Sequence, residues 1–193
     1  MRPGVRALVL CSAAVAALLS CAPPDAGSTT PVTFVDKAYG FSITVPGRWT
    51  AKQISREPKY SGVEMRSPDF DRTRIYCGVT VSPDAFAQAQ EDLNKIITSG
   101  HLMQVTTRMA KRGFAIQSGK TVPFAKNILG FATEGTQRVD HFFSQTTDRF
   151  ESLQVLIPGR AYVVSCFASQ ADFADRRKTF DGIIRSFKLL AFK

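Results

Sequence analysis

Residues 150–168 have the sequence FESLQVLIPGRAYVVSCFA, in which two runs rich in aliphatic and aromatic residues flank Pro158-Gly159. Such runs favour strands, and a Pro-Gly pair favours a tight turn between them. A short turn joins antiparallel neighbours, because parallel strands need a long crossover connection. The second run, residues 161–168, is apolar on both faces, which predicts a central strand covered on both sides.

Further strands are predicted on either side of this hairpin. Apolar and polar side chains alternate along residues 40–45, where Phe41, Ile43 and Val45 share one face, as in a half-buried strand. Immediately before the hairpin, Thr147-Asp148 predicts a second turn. The other predicted strands are residues 62–67, 75–81, 113–118, 128–135 and 138–146.

Three segments predict helices. The first begins at Ser82-Pro83-Asp84, which supplies an N-cap, a proline at the first helical position and an acid near the positive end of the dipole. Gly100 ends it, and residues 101–110 are expected to form a second short helix. The last helix is predicted at residues 170–186, where Ser169 and Asp172 resemble a capping box and large apolar residues form one stripe.

The N-terminus has the pattern of an export signal. Arg2 and Arg6 precede an uncharged, mostly apolar segment at residues 7–19, which is too short for a stable membrane span. Ser20 and Cys21 then complete a sequence that resembles the lipobox of bacterial lipoproteins. This resemblance implies that residues 1–20 are a signal peptide, and that Cys21 is acylated, for example with palmitate, and becomes the new N-terminus.

Two alternatives to lipidation remain open. Ordinary signal cleavage at the small residues Ser20 and Ala22 would release a soluble secreted protein, although Pro23 after the cut disfavours it. Cys21 would otherwise be a free cysteine in a discarded peptide. Residues 21–31, rich in Pro, Gly, Ser and Thr, are interpreted as a lipidated flexible tether, and residues 32–193 as one globular domain.

The chain is basic, with 25 Lys and Arg against 16 Asp and Glu and a formal net charge of +9. A positive balance favours anionic partners, such as lipid headgroups, cell-wall polymers or acidic proteins, but also suits a solvated surface. Export argues against a nucleic-acid partner. Short basic clusters occur at Arg108-Lys111-Arg112 and at Arg176-Arg177-Lys178, and the favoured interpretation of each is a solvated surface.

Cys77 and Cys166 are the two cysteines that follow Cys21. In an oxidising compartment an isolated pair favours a disulfide over two free thiols. The alternative is a pair of buried, inert thiols in separate strands. Neither belongs to a C-x-x-C motif, which argues against a redox enzyme.

Residues 39–49, YGFSITVPGRW, resemble the opening of PsbP/Mog1-like domains, with an aromatic-Gly-Phe strand, a proline turn and a tryptophan. Residues 183–188, IIRSFK, are similar to the closing helix and the start of the final strand of that family. The resemblance covers about residues 32–193 and implies an α+β fold: an antiparallel sheet flanked by helices on both faces. It implies binding or assembly roles, with no catalytic residues or cofactor to carry over.

No catalytic centre emerges from the residue patterns. The two histidines are His101 and His141, and His141 follows Asp140 on a predicted strand, where neighbouring side chains point to opposite faces. Nucleophile-elbow, zinc-ligand, P-loop and dinucleotide motifs are absent from the sequence. Asp69 and Asp71 with Glu64 are candidates for weak calcium binding, but a solvated loop is favoured.

The leading hypothesis is a non-catalytic envelope lipoprotein that acts as a binding or assembly module, facing the periplasm or the cell surface. Its expected partners are the membrane, through the lipid, and an envelope protein or anionic envelope component. The alternatives are a small-ligand or lipid-binding protein and, less favoured, a hydrolase that uses His101 or His141. A candidate partner surface comprises Trp49, Arg176, Arg177 and Lys178, although Trp49 is also expected to pack under the Pro46 turn.

Overall fold

The computed structural model describes residues 30–55, 61–83, 86–140 and 145–190, which form ten strands and four helices. The strands are β1 Val32–Asp36, β2 Phe41–Val45, β3 Thr50–Ser55, β4 Ser61–Arg66, β5 Tyr76–Pro83, β6 Phe114–Ala125, β7 Ile128–Asp140, β8 Gln145–Ile157, β9 Arg160–Ser169 and β10 Lys188–Leu189. The helices are α1 Phe70–Thr73, α2 Gln90–Thr98, α3 His101–Ala110 and α4 Phe173–Ser186.

The strands form two sheets. The larger has seven strands in the order β3-β4-β5-β9-β8-β7-β6, and the smaller has three in the order β1-β2-β10. Every strand pairing in the described residues is antiparallel, which confirms the predicted antiparallel α+β architecture. Strand β9 lies in the middle of the larger sheet, as its apolar sequence predicts.

The β8–β9 hairpin forms around the predicted Pro-Gly turn. Ile157 pairs with Arg160, and the register continues without interruption to Asp148 and Ser169. Gly159 has a φ of +78°, a conformation that glycine adopts without steric cost, and its N–H donates to the carbonyl of Phe86 at 2.8 Å. This hairpin therefore fixes the register at the centre of the sheet.

The predicted helix start at Ser82-Pro83 is wrong. Strand β5 continues through both residues, which pair with Ala161 and Arg160 of β9, and α2 begins at Gln90. Pairing with β9 extends β5 through Ser82 and Pro83, past the local helix-capping signal. Intrinsic preference is a weak prior that tertiary context overrides.

The predicted turn at Thr147-Asp148 is also wrong. Both residues lie inside β8, where they pair with Arg138 and Gln137 of β7. The two strands predicted between residues 128 and 146 are therefore one strand, β7, as far as Asp140, and Asp140 pairs directly with Gln145. Here the long β7–β8 ladder overrides the turn preference of Thr-Asp.

Alternation along the strands divides the buried residues into two clusters. The larger contains Val155 and Val164 of the sheet together with Phe180 of α4. Neighbouring strand residues point to opposite faces, and Leu156 accordingly belongs to the second cluster, with Leu93 of α2. Helix α4 begins at Phe173, close to its predicted position, and Ser169 and Asp172 hydrogen-bond to each other in the turn before it.

Candidate functional site

A cleft of about 640 Å³ crosses the large sheet beneath α3. We call it the sheet cleft. Strands β3 to β9 and helix α3 all contribute to its lining, which consists of Ile54, Glu64, Tyr76, Gly78, Thr80, Ser82, Arg108, Met109, Arg112, Phe114, Gln137, Phe150, Gln154, Val163, Ser165 and Phe167. Its size is typical of small-ligand sites, which occupy roughly 300–1,000 Å³.

The floor of the sheet cleft follows from strand alternation. On β9, Val163, Ser165 and Phe167 line the cleft and are only half-buried, whereas the residues between them are buried in the core. The sequence-based expectation that this strand is covered on both sides is therefore only partly correct. Its second apolar face is part of the cleft floor.

A glycine without a side chain leaves space above the middle of the cleft floor. Gly78 of β5 lines the cleft, and a Cβ atom built there would have Val63 O, at 3.4 Å, as its one heavy-atom neighbour within 4 Å among the described residues. A side chain at this position would therefore project into the cleft without a steric clash at Cβ. By contrast, a Cβ at neighbouring Gly62 would lie 2.0 Å from Val79 O, so Gly62 is required for strand packing.

Aromatic rings form one end of the floor. Tyr76 and Phe167 stack in parallel across β5 and β9, with their centroids 4.8 Å apart. Phe150 contacts Phe167 at 5.8 Å, and Phe114 meets Phe150 edge-on at 5.4 Å. Offset and edge-to-face packing of this kind gives a rigid apolar platform.

Charges lie on the two sides of the cleft. Arg108 at the end of α3 and Arg112 just after α3 are both exposed and line the cleft. Glu64 lines it from the sheet. The Glu64 carboxylate is held 2.6 Å from Nε of Arg66, whose guanidinium also lies over the Phe70 ring. No ion pair between described residues involves Arg108 or Arg112.

A second charged group lies on the α4 side of the sheet. Glu134 of β7 pairs with Arg149 of β8 and with Arg177 of α4, the latter at 2.7 Å. Glu151, also on β8, is buried, and its Oε1 has no hydrogen-bond partner among the described residues. Burial, and next the negative charge of Asp181, raise the pKa of Glu151 to about 7.

Replacement of Glu151 by Gln is expected to stabilise the protein at high pH. The folded-state pKa is above the ordinary carboxyl value of 4.5, so stability is lost as the pH rises towards about 7 and the buried carboxyl ionises. After allowance for solvent screening, the advantage of Gln should grow to about 2 kcal/mol above pH 7 and vanish near pH 4.5. Urea unfolding of wild type and Glu151→Gln between pH 4.5 and above pH 7 tests this prediction. Glu91→Gln, at an exposed position on α2, is the control. Equal pH profiles for wild type and Glu151→Gln would contradict it.

The predicted cysteine pair is brought together by the sheet. Cys77 of β5 and Cys166 of β9 are direct cross-strand partners, both are buried, and their sulfur atoms are joined in a disulfide. This supports the predicted bond. Cys21, the predicted lipidation site, lies outside the described residues.

The residues of the candidate partner surface lie on two elements, with Trp49 just before β3 and the three basic residues on α4. Trp49 is half-buried and packs against the large core cluster. Its backbone N–H donates to the Pro46 carbonyl at 3.3 Å. Arg176, Arg177 and Lys178 are exposed on α4. Arg177 pairs with Glu134, and Arg176 lies 3.9 Å from Asp69.

The titratable residues considered for chemistry are described only in part. His141 lies outside the described residues, and His101 begins α3. The Asp69 carboxylate accepts a hydrogen bond from the Ser67 hydroxyl at 2.8 Å, which is the main cause of its lowered pKa. The described segments contain no group of three or more His, Cys, Asp or Glu that could hold a metal ion. Among the same residues, no helix is long and apolar enough to span a bilayer.

Comparison with known proteins gives the fold. No protein-family model matches the chain, and no curated protein matches its sequence. The solution structure of cyanobacterial PsbP (CyanoP) from Synechocystis sp. PCC 6803 superposes with a TM-score of 0.56 at 12% identity, over 86% of this chain and 95% of that one.

Two other solved structures are similar at lower scores. The Ran-binding protein Mog1p of Saccharomyces cerevisiae has a TM-score of 0.49 at 9% identity, over 84% of this chain and 97% of that one. LpqN, involved in cell envelope biogenesis of Mycobacterium tuberculosis, has a TM-score of 0.45 at 11% identity, over 84% and 90% of the two chains. On the strength of the cyanobacterial structure, this chain has a PsbP/Mog1-like fold.

Proposed function

We propose that the protein is a non-catalytic binding or assembly module of the bacterial cell envelope, and that the sheet cleft is its binding site. The observation that carries the proposal is the cleft itself, a concave surface of ligand-site size on the open part of the central sheet. Clefts that combine an apolar floor with a few polar groups are the usual form of ligand sites.

The chemistry of the lining favours binding over catalysis. Among its described residues it has hydroxyl groups at Thr80, Ser82 and Ser165 but no histidine to act as a base for them. Its one carboxylate, on Glu64, is held by Arg66. A nucleophile and a base within hydrogen-bond reach are what a hydrolase would need.

We also propose that the protein is exported and anchored by lipid on Cys21. The signal-like residues 1–20 and the lipobox motivate this, and β1 begins at Val32, directly after the predicted tether at residues 21–31. Two acyl chains are enough for stable anchoring. Metabolic labelling with a radioactive fatty acid should label the wild-type protein and not Cys21→Ser. Label retained in that variant, or absent from the wild type, would contradict the anchor.

Helices are proposed to cover both faces of the large sheet. The two core clusters support this, because Leu93 of α2 packs with Leu156 whereas Phe180 of α4 packs in the cluster of Val155. In this arrangement α4 packs on one face, whereas α2 packs on the other, where the sheet cleft lies beside α3.

The partner is proposed to be an envelope protein or an anionic envelope component. In-cell photocrosslinking tests this with a photoreactive residue at exposed Thr80, inside the cleft, and in a second strain at exposed Lys178 on α4. We expect an adduct from Thr80 that disappears when Gly78→Leu fills the floor. No adduct from Thr80, or an equal one with Gly78→Leu, would refute the cleft as the binding site. An adduct from Lys178 alone would transfer the binding role to α4.

A further inference from the structure

We infer that the sheet cleft binds a small amphiphilic anion, with its apolar part on the aromatic floor and its anionic group beside Arg108 and Arg112. This inference rests on the proposed binding function and names the ligand class. Two independent features of the cleft support it, one apolar and one electrostatic.

The apolar feature is the aromatic end of the floor. Tyr76, Phe114 and Phe167 are half-buried and line the cleft, and fully buried Phe150 packs between Phe114 and Phe167. Half-buried aromatic rings that face one concave surface are well suited to cover an alkyl chain or a planar ring.

The electrostatic feature is the pair of arginines that line the cleft at the end of α3 and in the turn after it. Arg108 lies in the last turn of α3 and Arg112 follows the C-cap Lys111, and both side chains line the cleft. Neither is paired with an acid in the described segments. Met109, between them in sequence, also lines the cleft.

The charge balance of the cleft therefore favours an anion. The carboxylate of Glu64 is already neutralised by Arg66 at 2.6 Å, so Arg108 and Arg112 are the uncompensated charges among the described lining residues. Planar guanidiniums bind phosphate and carboxylate groups with two parallel hydrogen bonds. A cleft of about 640 Å³ favours a ligand of lipid or metabolite size over a folded protein surface.

Titration calorimetry with three probes separates the apolar and electrostatic contributions. Decyl phosphate carries both groups, decyltrimethylammonium has the same chain with the opposite charge, and inorganic phosphate lacks the chain. We expect decyl phosphate, used below its micelle concentration, to bind one site per chain. The other two probes should bind at least about tenfold more weakly, since each lacks one of the two contributions.

Three variants and one control locate the site. Arg108→Gln and Arg112→Gln should each weaken decyl phosphate binding about tenfold, the usual effect of losing one charged hydrogen-bond partner. Gly78→Leu should abolish binding while the protein stays folded, as judged by circular dichroism. Lys111→Gln removes a charge from the same exposed turn, outside the cleft lining, and should leave binding unchanged.

Equal affinity for the two decyl probes, or decyl phosphate binding that survives Gly78→Leu, would overturn the inference. A loss of decyl phosphate affinity in Lys111→Gln as large as in the two arginine variants would also overturn it, because the effect would then come from net charge. If decyl phosphate fails to bind but Thr80 crosslinks in cells to an acidic protein, the ligand class is wrong and the binding function stands. If both experiments fail, the binding function fails as well.

Discussion

Reduction of the Cys77–Cys166 disulfide is expected to lower the free energy of unfolding by about 4 kcal/mol. The bond joins residues 89 positions apart, so it removes much of the freedom of the unfolded chain. It also links β5 to β9, the strands that carry much of the cleft floor. Its loss should therefore destabilise the site along with the fold.

Urea unfolding with and without a thiol reductant measures this effect. The wild-type midpoint should fall on reduction, whereas a Cys77→Ala/Cys166→Ala double variant should have a low midpoint that the reductant does not change. An unchanged midpoint in the wild type, with both thiols shown to be free by alkylation, would refute a stabilising disulfide.

Replacement of Tyr162 by Ala is expected to cost about 3–5 kcal/mol, the usual range for removal of a buried aromatic side chain. Tyr162 is fully buried on β9, and its ring contacts Phe41 edge-on and packs against Phe187. Its hydroxyl donates to the Tyr39 carbonyl at 2.6 Å. Through its ring and its hydroxyl, this side chain therefore helps to attach the small sheet to the large one.

Tyr162→Phe is the matched control, because it keeps the ring and removes only the hydroxyl. The Tyr39 carbonyl retains a hydrogen bond from Arg160 at 2.8 Å, so the loss should be about 1 kcal/mol. Thermal or urea unfolding of both variants gives the comparison. A loss in Tyr162→Ala no larger than that in Tyr162→Phe would contradict the role of the ring.

The sequence predicted the parts of the fold in which local pattern and tertiary packing agree. The Pro158-Gly159 hairpin, the central position of β9 and the C-terminal helix all combine a strong periodic pattern with a recognised turn or cap. The Ser82-Pro83 and Thr147-Asp148 signals are equally strong locally but lie on long ladders, which continue each strand through them. Strands β1, β3 and β10 lack a distinct pattern, since they are short and lie largely at sheet edges.

The sequence contained separate signals of the sheet cleft but did not predict that they form one site. The apolar character of both faces of residues 161–168 was an available signal, but it suggested a covered strand and not a cleft floor. Arg108 and Arg112 formed a visible cluster that favoured a solvated surface. Their relation to Phe114 and Tyr76 depends on the way α3 packs over the sheet, which has no local sequence signature.

The most direct test of the cleft as a binding site is native mass spectrometry of the protein purified from its own membranes. The wild type should carry a bound species that Gly78→Leu, produced at the same level, lacks. A wild-type protein free of any adduct, or the same adduct on both proteins, would contradict a binding function for the sheet cleft.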